Sequence, residues 1–365
     1  MGPLSIAETG SFIPLKRMSF FLLKTGESVP VDNEKYLLPF LSPTSKGTHY
    51  RESQPAGDLT ERQYGRVLLQ LHQILHMLKE IGFEPQGRTL LDIGTGNGMI
   101  PRGMLALSGM KSAVGVDPFL DGEHSTSWQP HDHDGAMRVL LEKVLPGREG
   151  VLEFEAYAKI AGLENFQSRP RPIQVSKEEG KPYLFHQLGA HQLSQLNEQF
   201  DVLYCKAIEH IHDWNKVFEE ASGAALPGAI FYLKHRSFFS YLGAHRYSTI
   251  GTPWGHVLMD DEEYVGYVRQ EYPLEAEQMI AFFSDELCRP RMTIHEMVEV
   301  ARKNDFVMKT VHFEAPRYIQ QIIHFPEEVD GFWELLRARY PSLGAEELFS
   351  GMIHIVFEKK ENEYE

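Results

Sequence analysis

The stretch Leu90-Leu91-Asp92-Ile93-Gly94-Thr95-Gly96-Asn97-Gly98 narrows what this chain can become more than any other. An apolar strand runs straight into three glycines at alternate positions. A second apolar run, Ala113-Val114-Gly115-Val116, then ends on Asp117. Glycine lets the backbone turn sharply and approach a ligand without side-chain obstruction. An acid at the tip of the next parallel strand can accept both hydroxyl hydrogens of a ribose. Together the two features point to a nucleoside held at the carboxyl edge of a parallel sheet.

A dinucleotide fingerprint spaces its glycines G-x-G-x-x-G, so that a pyrophosphate sits on a helix N-terminus. Here the spacing is G-x-G-x-G, and Asp92 precedes the first glycine. That carboxylate repels a pyrophosphate and suits a ligand bearing positive charge. Residues Leu91 to Gly98 resemble the first motif of the class I S-adenosylmethionine-dependent methyltransferases. The resemblance implies that Gly94, Thr95, Gly96, Asn97 and Gly98 wrap the methionine half of the cofactor. It also implies that Asp92 organises that end and that Asp117, followed by Pro118, holds the ribose.

The order of elements extends the likeness. Residues 1–58 are rich in Pro, Gly, Ser and Thr and read as an irregular arm or cap. From Glu61 to Ile81, Leu68, Leu71, Leu75 and Leu78 recur at helical spacing, and Gly82 and Pro85 stop the helix. Strand, glycine loop, helix and strand follow as a βαβ unit. Between Asp117 and the next strand, Tyr183 to Leu188, the chain is far longer than a crossover requires. An insertion at about 119–182 is therefore expected, with helices over Gly135–Leu145 and Glu153–Ala161 and a surface loop near Ser176 to Gly180. Phe200 to Cys205 and Ala229 to Lys234 are further strands, flanking a helix that carries Trp214, Val217 and Phe218. A second insertion spans about 236–290. A helix from Thr293 to Lys303 and strands at Val307–Phe313 and Met352–Phe357 complete the pattern. The expected class is α/β: a Rossmann-like, seven-stranded, mostly parallel sheet with helices on both faces and lid insertions. The family's last strand is antiparallel, and residues 59–359 read as the methyltransferase domain.

Open parallel sheets bind ligands outside the carboxyl ends of their strands. After the third strand many family members carry an acid for the adenine amino group. This chain has Gly189-Ala190-His191-Gln192 instead, a departure from the family pattern; the backbone of Ala190 and His191, or the Gln192 side chain, can substitute. After the fourth strand, the family's backbone passes the methionine part of the cofactor, which makes Lys206 and Ala207 contact candidates. Glu209, His210 and Asp213 stand where the family often has Glu-His and an aspartate, although Glu209 also suits a helix start. The second insertion opens with His235 and Arg236 and continues through His245, Trp254 and His256. Histidine titrates near neutrality and is a natural base for a hydroxyl acceptor. His245 or His256 is read as the base, with His235 and Trp254 shaping the site.

The chain has 51 acidic and 36 basic side chains, a formal charge of −15, which repels nucleic acid. Its only cysteines, Cys205 and Cys288, suggest neither a disulfide framework nor a zinc cluster. The run His131-Asp132-His133-Asp134 reads as a solvated loop, because adjacent residues seldom converge on one ion; no metal is expected. The apolar run Met18–Leu23 is too short to cross a bilayer. With Glu8 ahead of it and no small-residue cleavage site after it, it reads poorly as a signal peptide. The expectation is a cytoplasmic enzyme that uses S-adenosyl-L-methionine to methylate a small-molecule acceptor, most readily at oxygen, with no membrane partner. The alternatives are a methyltransferase acting on protein or nucleic acid, and a non-catalytic cofactor-binding relative.

Overall fold

The computed structural model describes residues 19–31, 61–119, 133–177, 181–245, 247–316 and 319–361. Its centre is a seven-stranded sheet. In chain order the strands are β3 (Thr89–Ile93), β4 (Ser112–Val116), β7 (Tyr183–His186), β8 (Phe200–Cys205), β9 (Ala225–His235), β10 (Phe306–Phe313) and β11 (Ile353–Lys359). Across the sheet they run β10-β11-β9-β8-β3-β4-β7. The pairs β3 with β4, β3 with β8, β4 with β7 and β8 with β9 are parallel, whereas β11 is antiparallel to both its neighbours. All seven expected strands are present. The chain runs outward from β3 through β4 to β7, then crosses back to β8 on the other side of β3. That reversal opens a crevice at the carboxyl ends of β3 and β8, where open α/β sheets take their ligands.

Strands covered on both faces are nearly continuous in apolar residues, as Leu90, Leu91, Ile93, Val202, Leu203 and Cys205 show. On one face, Leu90, Val202, Tyr204, Ile230 and Tyr232 pack under α1 (Glu61–Glu80), α2 (Met99–Ser108), α3 (His133–Val144) and α4 (Phe154–Ala161). On the other, Leu91, Leu203, Phe231 and Phe357 pack under α5 (Trp214–Ala224) and α9 (Ile294–Lys303). The leucines of α1 are buried as their spacing predicts. Gly82, at φ +74°, terminates the helix in the left-handed conformation, and Phe83 N–H closes back on the Leu78 carbonyl at 2.9 Å. α9 starts on a reciprocal cap between Thr293 and Glu296.

The second insertion folds into α6 (Gly255–Leu258), α7 (Asp261–Glu271), α8 (Ala276–Ala281) and a π-helical turn over Phe282–Glu286. It builds a separate aromatic core with Phe238, Phe239, Trp254, Tyr264, Tyr267 and Phe283. Two other parts of the chain complete that core. One is the connection between β10 and β11, residues 314–352, which contributes Phe325, Phe332, Leu336 and Leu348. It carries α10 (Ile319–Ile322), α11 (Phe332–Arg339) and α12 (Ala345–Leu348). β10 and β11 are antiparallel neighbours, as the family pattern implies, and the long connection between them makes a third excursion.

The other part belongs to the arm, where residues 19–31 are an ordered hairpin. Here β1 (Ser19–Leu22) pairs antiparallel with β2 (Ser28–Val31), and Leu23 and Val29 are buried in the lid core. The first insertion holds the two expected helices and also an unexpected hairpin, β5 (Glu149–Leu152) with β6 (Ile173–Ser176).

Candidate functional site at the carboxyl edge of the sheet

β3 delivers the glycine loop to the crevice. Gly94, Gly96 and Gly98 have φ of +72°, +55° and +71°, the left-handed region that side chains resist. At two of them space is also lacking. A Cβ on Gly94 would stand 2.7 Å from the Ala207 Cβ, and one on Gly98 would stand 2.5 Å from the Tyr183 hydroxyl oxygen. Around a Cβ on Gly96 there is nothing within 4 Å, so the loop is open where a ligand would lie against its backbone. Gly94 and Thr95 N–H both donate to the Val116 carbonyl, at 2.9 and 3.0 Å, which ties the loop to β4. The Asn97 side chain accepts from Met99 N–H at 3.2 Å and steadies the start of α2.

The two carboxylates differ in surroundings. Asp117 Oδ2 accepts from Gly96 N–H and Oδ1 from Phe119 N–H, both at 3.0 Å. A carboxylate oriented by backbone in this way suits a pair of ribose hydroxyls. Asp92 is buried, and Thr95 Oγ1 donates to its Oδ2 at 2.7 Å. Burial pushes its carboxyl up to about 7, against the lowering effect of Thr95 and Lys206 and with the help of Asp117. A carboxyl poised near neutrality, beside a loop that admits backbone contact, fits a ligand that combines a ribose with a cationic end.

The other edge residues stand on the same rim. Pro118 is exposed, and its carbonyl accepts from Gln187 Nε2 at 3.1 Å. Ala190 is buried at the start of a 3-10 turn over Ala190–Leu196. His191 Nε2 donates to the His212 carbonyl at 2.7 Å, and Gln192 Oε1 accepts from Gly189 N–H at 3.1 Å. Lys206 is exposed just beyond β8. Sequence reasoning passed over Tyr183. Its ring lies under Arg102 at 4.6 Å, and its hydroxyl fills the space that Gly98 and Gly115 leave open. The two glycines were the signal for it.

The three candidate histidines fall in different places. His235, at the end of β9, is 1% exposed; Trp214 stands edge-on at 5.4 Å, and Glu209 Oε2 lies 3.9 Å from Nδ1. Neither ring nitrogen of His235 has a hydrogen-bond partner among the described residues. Burial would raise the Glu209 carboxyl, but His235 and His210 hold it below its ordinary value. His245 is half-buried, with ring centroids of Tyr247, Phe282 and His210 at 4.4, 4.7 and 5.4 Å.

His256 is enclosed in the lid, where its Nε2 donates to the Phe238 carbonyl at 2.6 Å. Burial lowers its pKa to about 4. A cavity of about 410 Å³ runs beside it, lined by Phe238, Asp260, Arg291 and Tyr340 and by no residue of the glycine loop. His256 therefore has a packing and hydrogen-bonding job, and the structure does not bring it to the crevice.

His210, quoted from the sequence only as a family-like position, sits beside His245. Its Nδ1 donates to the Glu286 carbonyl at 2.8 Å. Among the described residues no group of three or more histidine, cysteine or acidic side chains could hold a metal ion. The run His131–Asp134 lies outside them in its side chains. No helix among them is long and apolar enough to cross a membrane.

Comparison with known proteins places this geometry in a family. No curated protein matches the chain. Among solved structures it is similar to an S-adenosylmethionine-dependent methyltransferase from Mesorhizobium loti, at 12% identity and a TM-score of 0.40, covering 78% of this chain and 96% of that one. It is also similar to the cyclopropane synthase MmaA2 from Mycobacterium tuberculosis, at 14% identity and a TM-score of 0.39, covering 86% and 99%. At these values the likeness decides nothing; the family match does. The sequence model described as "Methyltransferase domain" matches residues 61–306, well over half of the chain. The chain belongs to that family, as a class I methyltransferase whose cofactor is S-adenosylmethionine.

Proposed function

We propose that the enzyme methylates an oxygen of a small-molecule acceptor and that His210 is the base. One observation carries the choice of base. His210 Nδ1 faces a backbone carbonyl, which can only accept, so the neutral ring has its proton on Nδ1 and its lone pair on Nε2. His245 has the opposite arrangement, since its Nδ1 accepts from Tyr247 N–H at 3.4 Å. The pair therefore offers one basic nitrogen and one N–H donor within a cage of Tyr247 and Phe282 rings that limits water. Glu209 adds negative charge beside both His210 and His235, which stabilises the imidazolium left after proton transfer.

The cofactor residues would be those of the loop and its rim. Gly94, Gly96 and Gly98 supply backbone, with Thr95 and Asn97 holding the loop in shape. Asp117 takes the ribose, Pro118 and Ala190–His191 flank the base, and Asp92 with Lys206 and Ala207 meets the methionine end. Bound there, S-adenosylmethionine supplies an electrophilic methyl on a sulfonium. The protein's own tasks are to orient the two partners, exclude water and take up one proton at His210 Nε2. Residues 59–359 would be the catalytic unit; of the arm 1–58 only 19–31 are among the described residues, and these pack into the lid core with the insertion at 236–290.

A panel of phenols incubated with the enzyme and S-adenosylmethionine, read by mass spectrometry of S-adenosylhomocysteine, tests this. His210→Asn should lose about 100-fold or more in turnover, as loss of a general base does, with unchanged affinity for S-adenosylhomocysteine. Normal turnover by that variant would remove His210 from the mechanism.

A further inference from the structure

The group on the acceptor that the enzyme recognises follows from a set of charges on the α1 face of the sheet. The parallel register pairs Tyr204 with Tyr232 and Cys205 with Leu233. One step further along each chain come Lys206, just beyond β8, and Lys234, in β9, close enough for Lys206 to repel the Lys234 ammonium; the alternation of β9 puts Lys234 on the face of Tyr232. Like charges on neighbouring strands repel, and Arg236 follows two residues on. Three cations thus converge on one edge of a chain whose net charge is −15.

Lys234 is the least exposed of them, at 7%. Its Nζ donates to Gln73 Oε1 at 2.6 Å, and Gln73 donates in turn to Glu314 at 2.9 Å. Glu314 is shared with His354 Nε2, also at 2.9 Å. Among the described residues no carboxylate stands within ion-pair distance of Lys234. A buried ammonium without a direct counter-ion is costly. Burial, with repulsion from Lys206 and Arg236, brings its pKa down to about 7 in spite of attraction from Glu314 and Glu209. One row below, the Tyr204 hydroxyl is buried and has no hydrogen-bond partner among the described residues.

We infer that the acceptor carries a carboxylate, received by Lys234 with Lys206 and Arg236 around it and the Tyr204 hydroxyl within the same polar row. A negative charge on the acceptor satisfies the ammonium that has no direct counter-ion among the described residues. The inference rests on the small-molecule reading above. It has one close rival, in which the anion is the cofactor's own carboxylate.

Benzoate and its neutral counterpart benzamide, titrated by calorimetry into protein saturated with S-adenosylhomocysteine, separate these. Benzoate is expected to bind and benzamide to bind at least tenfold more weakly. Lys234→Met should lose benzoate affinity about tenfold while keeping its affinity for S-adenosylhomocysteine, and Lys234→Arg should retain part of the benzoate binding. Arg236→Gln, at a half-buried position, should weaken benzoate about threefold and serves if Lys234→Met does not fold. Equal binding of benzoate and benzamide would overturn the inference. So would a Lys234→Met protein that binds benzoate normally and S-adenosylhomocysteine poorly, since the anion would then belong to the cofactor. Parent protein that binds no S-adenosylhomocysteine would defeat the cofactor site itself, and this inference with it.

Discussion

Asp92 has two jobs that pull in opposite directions. Its carboxyl is held near 7 by burial, well above the ordinary value of about 3.9. A folded-state pKa raised in this way stabilises the fold fully below about pH 4 and loses that contribution as the pH rises through 7. A cationic ligand needs the ionised form, so binding gains where folding loses. S-adenosylmethionine affinity should therefore rise between about pH 6 and 8, and calorimetry in buffers of different ionisation enthalpy should detect proton release. Asp92→Asn should flatten that pH dependence and weaken binding, yet raise the melting temperature of the ligand-free protein at pH 8 more than at pH 5. A variant that melts lower at both values would show that Asp92 stabilises the fold as an anion.

At the scale of elements, the crevice depends on close contact between the ends of β3 and β8. Gly94→Ala must place a side chain at φ +72° and 2.7 Å from the Ala207 Cβ. The left-handed backbone alone costs about 1–2 kcal/mol, and the clash adds to it. Loss of S-adenosylhomocysteine binding together with a lower melting temperature is expected, whereas Gly223→Ala, with open space around it, should bind normally.

The lid has its own keystone in Trp254, which is fully buried and donates from Nε1 to the Leu348 carbonyl at 3.1 Å. Trp254→Ala should cost about 3–5 kcal/mol. Hydrogen exchange should rise in 236–290 and 314–352 and leave β3 and β4 protected. Uniform deprotection would mean that lid and sheet unfold as one.

These elements also show where sequence reading stops. α1, β3, β4 and β8 were legible because each carries a sustained apolar period, and the glycine loop because three glycines at alternate positions serve few other purposes. The hairpins β1–β2 and β5–β6 are four-residue strands, too short to display a period. The aromatic core of the lid joins residues from 19–31, 236–290 and 314–352, so no single window of sequence reveals it. The histidines were visible, but their roles were not, because a carbonyl facing Nδ1 of His210 or Nε2 of His256 is a tertiary fact.

Over the whole molecule, two buried histidines couple the two halves of the fold to pH. His72, on the buried face of α1, bonds the Tyr157 hydroxyl and the Arg171 carbonyl at 2.9 and 2.7 Å, and His256 lies in the lid core. Burial lowers both to about 4. A histidine lowered from its ordinary 6.5 stabilises the fold above about pH 6.5, and that contribution is lost as the pH falls toward 4. For His256 this amounts to about 3 kcal/mol. His256→Gln keeps an amide donor for the Phe238 carbonyl. Urea titrations should find it less stable than the parent at pH 8, with the gap narrowing as the pH approaches 4. A gap that stays constant would mean that His256 is not neutral in the fold.

The central claim is that the glycine loop between Asp92 and Asp117 holds the adenosyl cofactor. Calorimetric titration of S-adenosylhomocysteine into the parent protein and Asp117→Ala addresses it most directly. One site per chain, weakened tenfold or more by the substitution with no change in fold by circular dichroism, is the predicted result. Absence of binding to the parent, or equal binding by both proteins, would contradict the account.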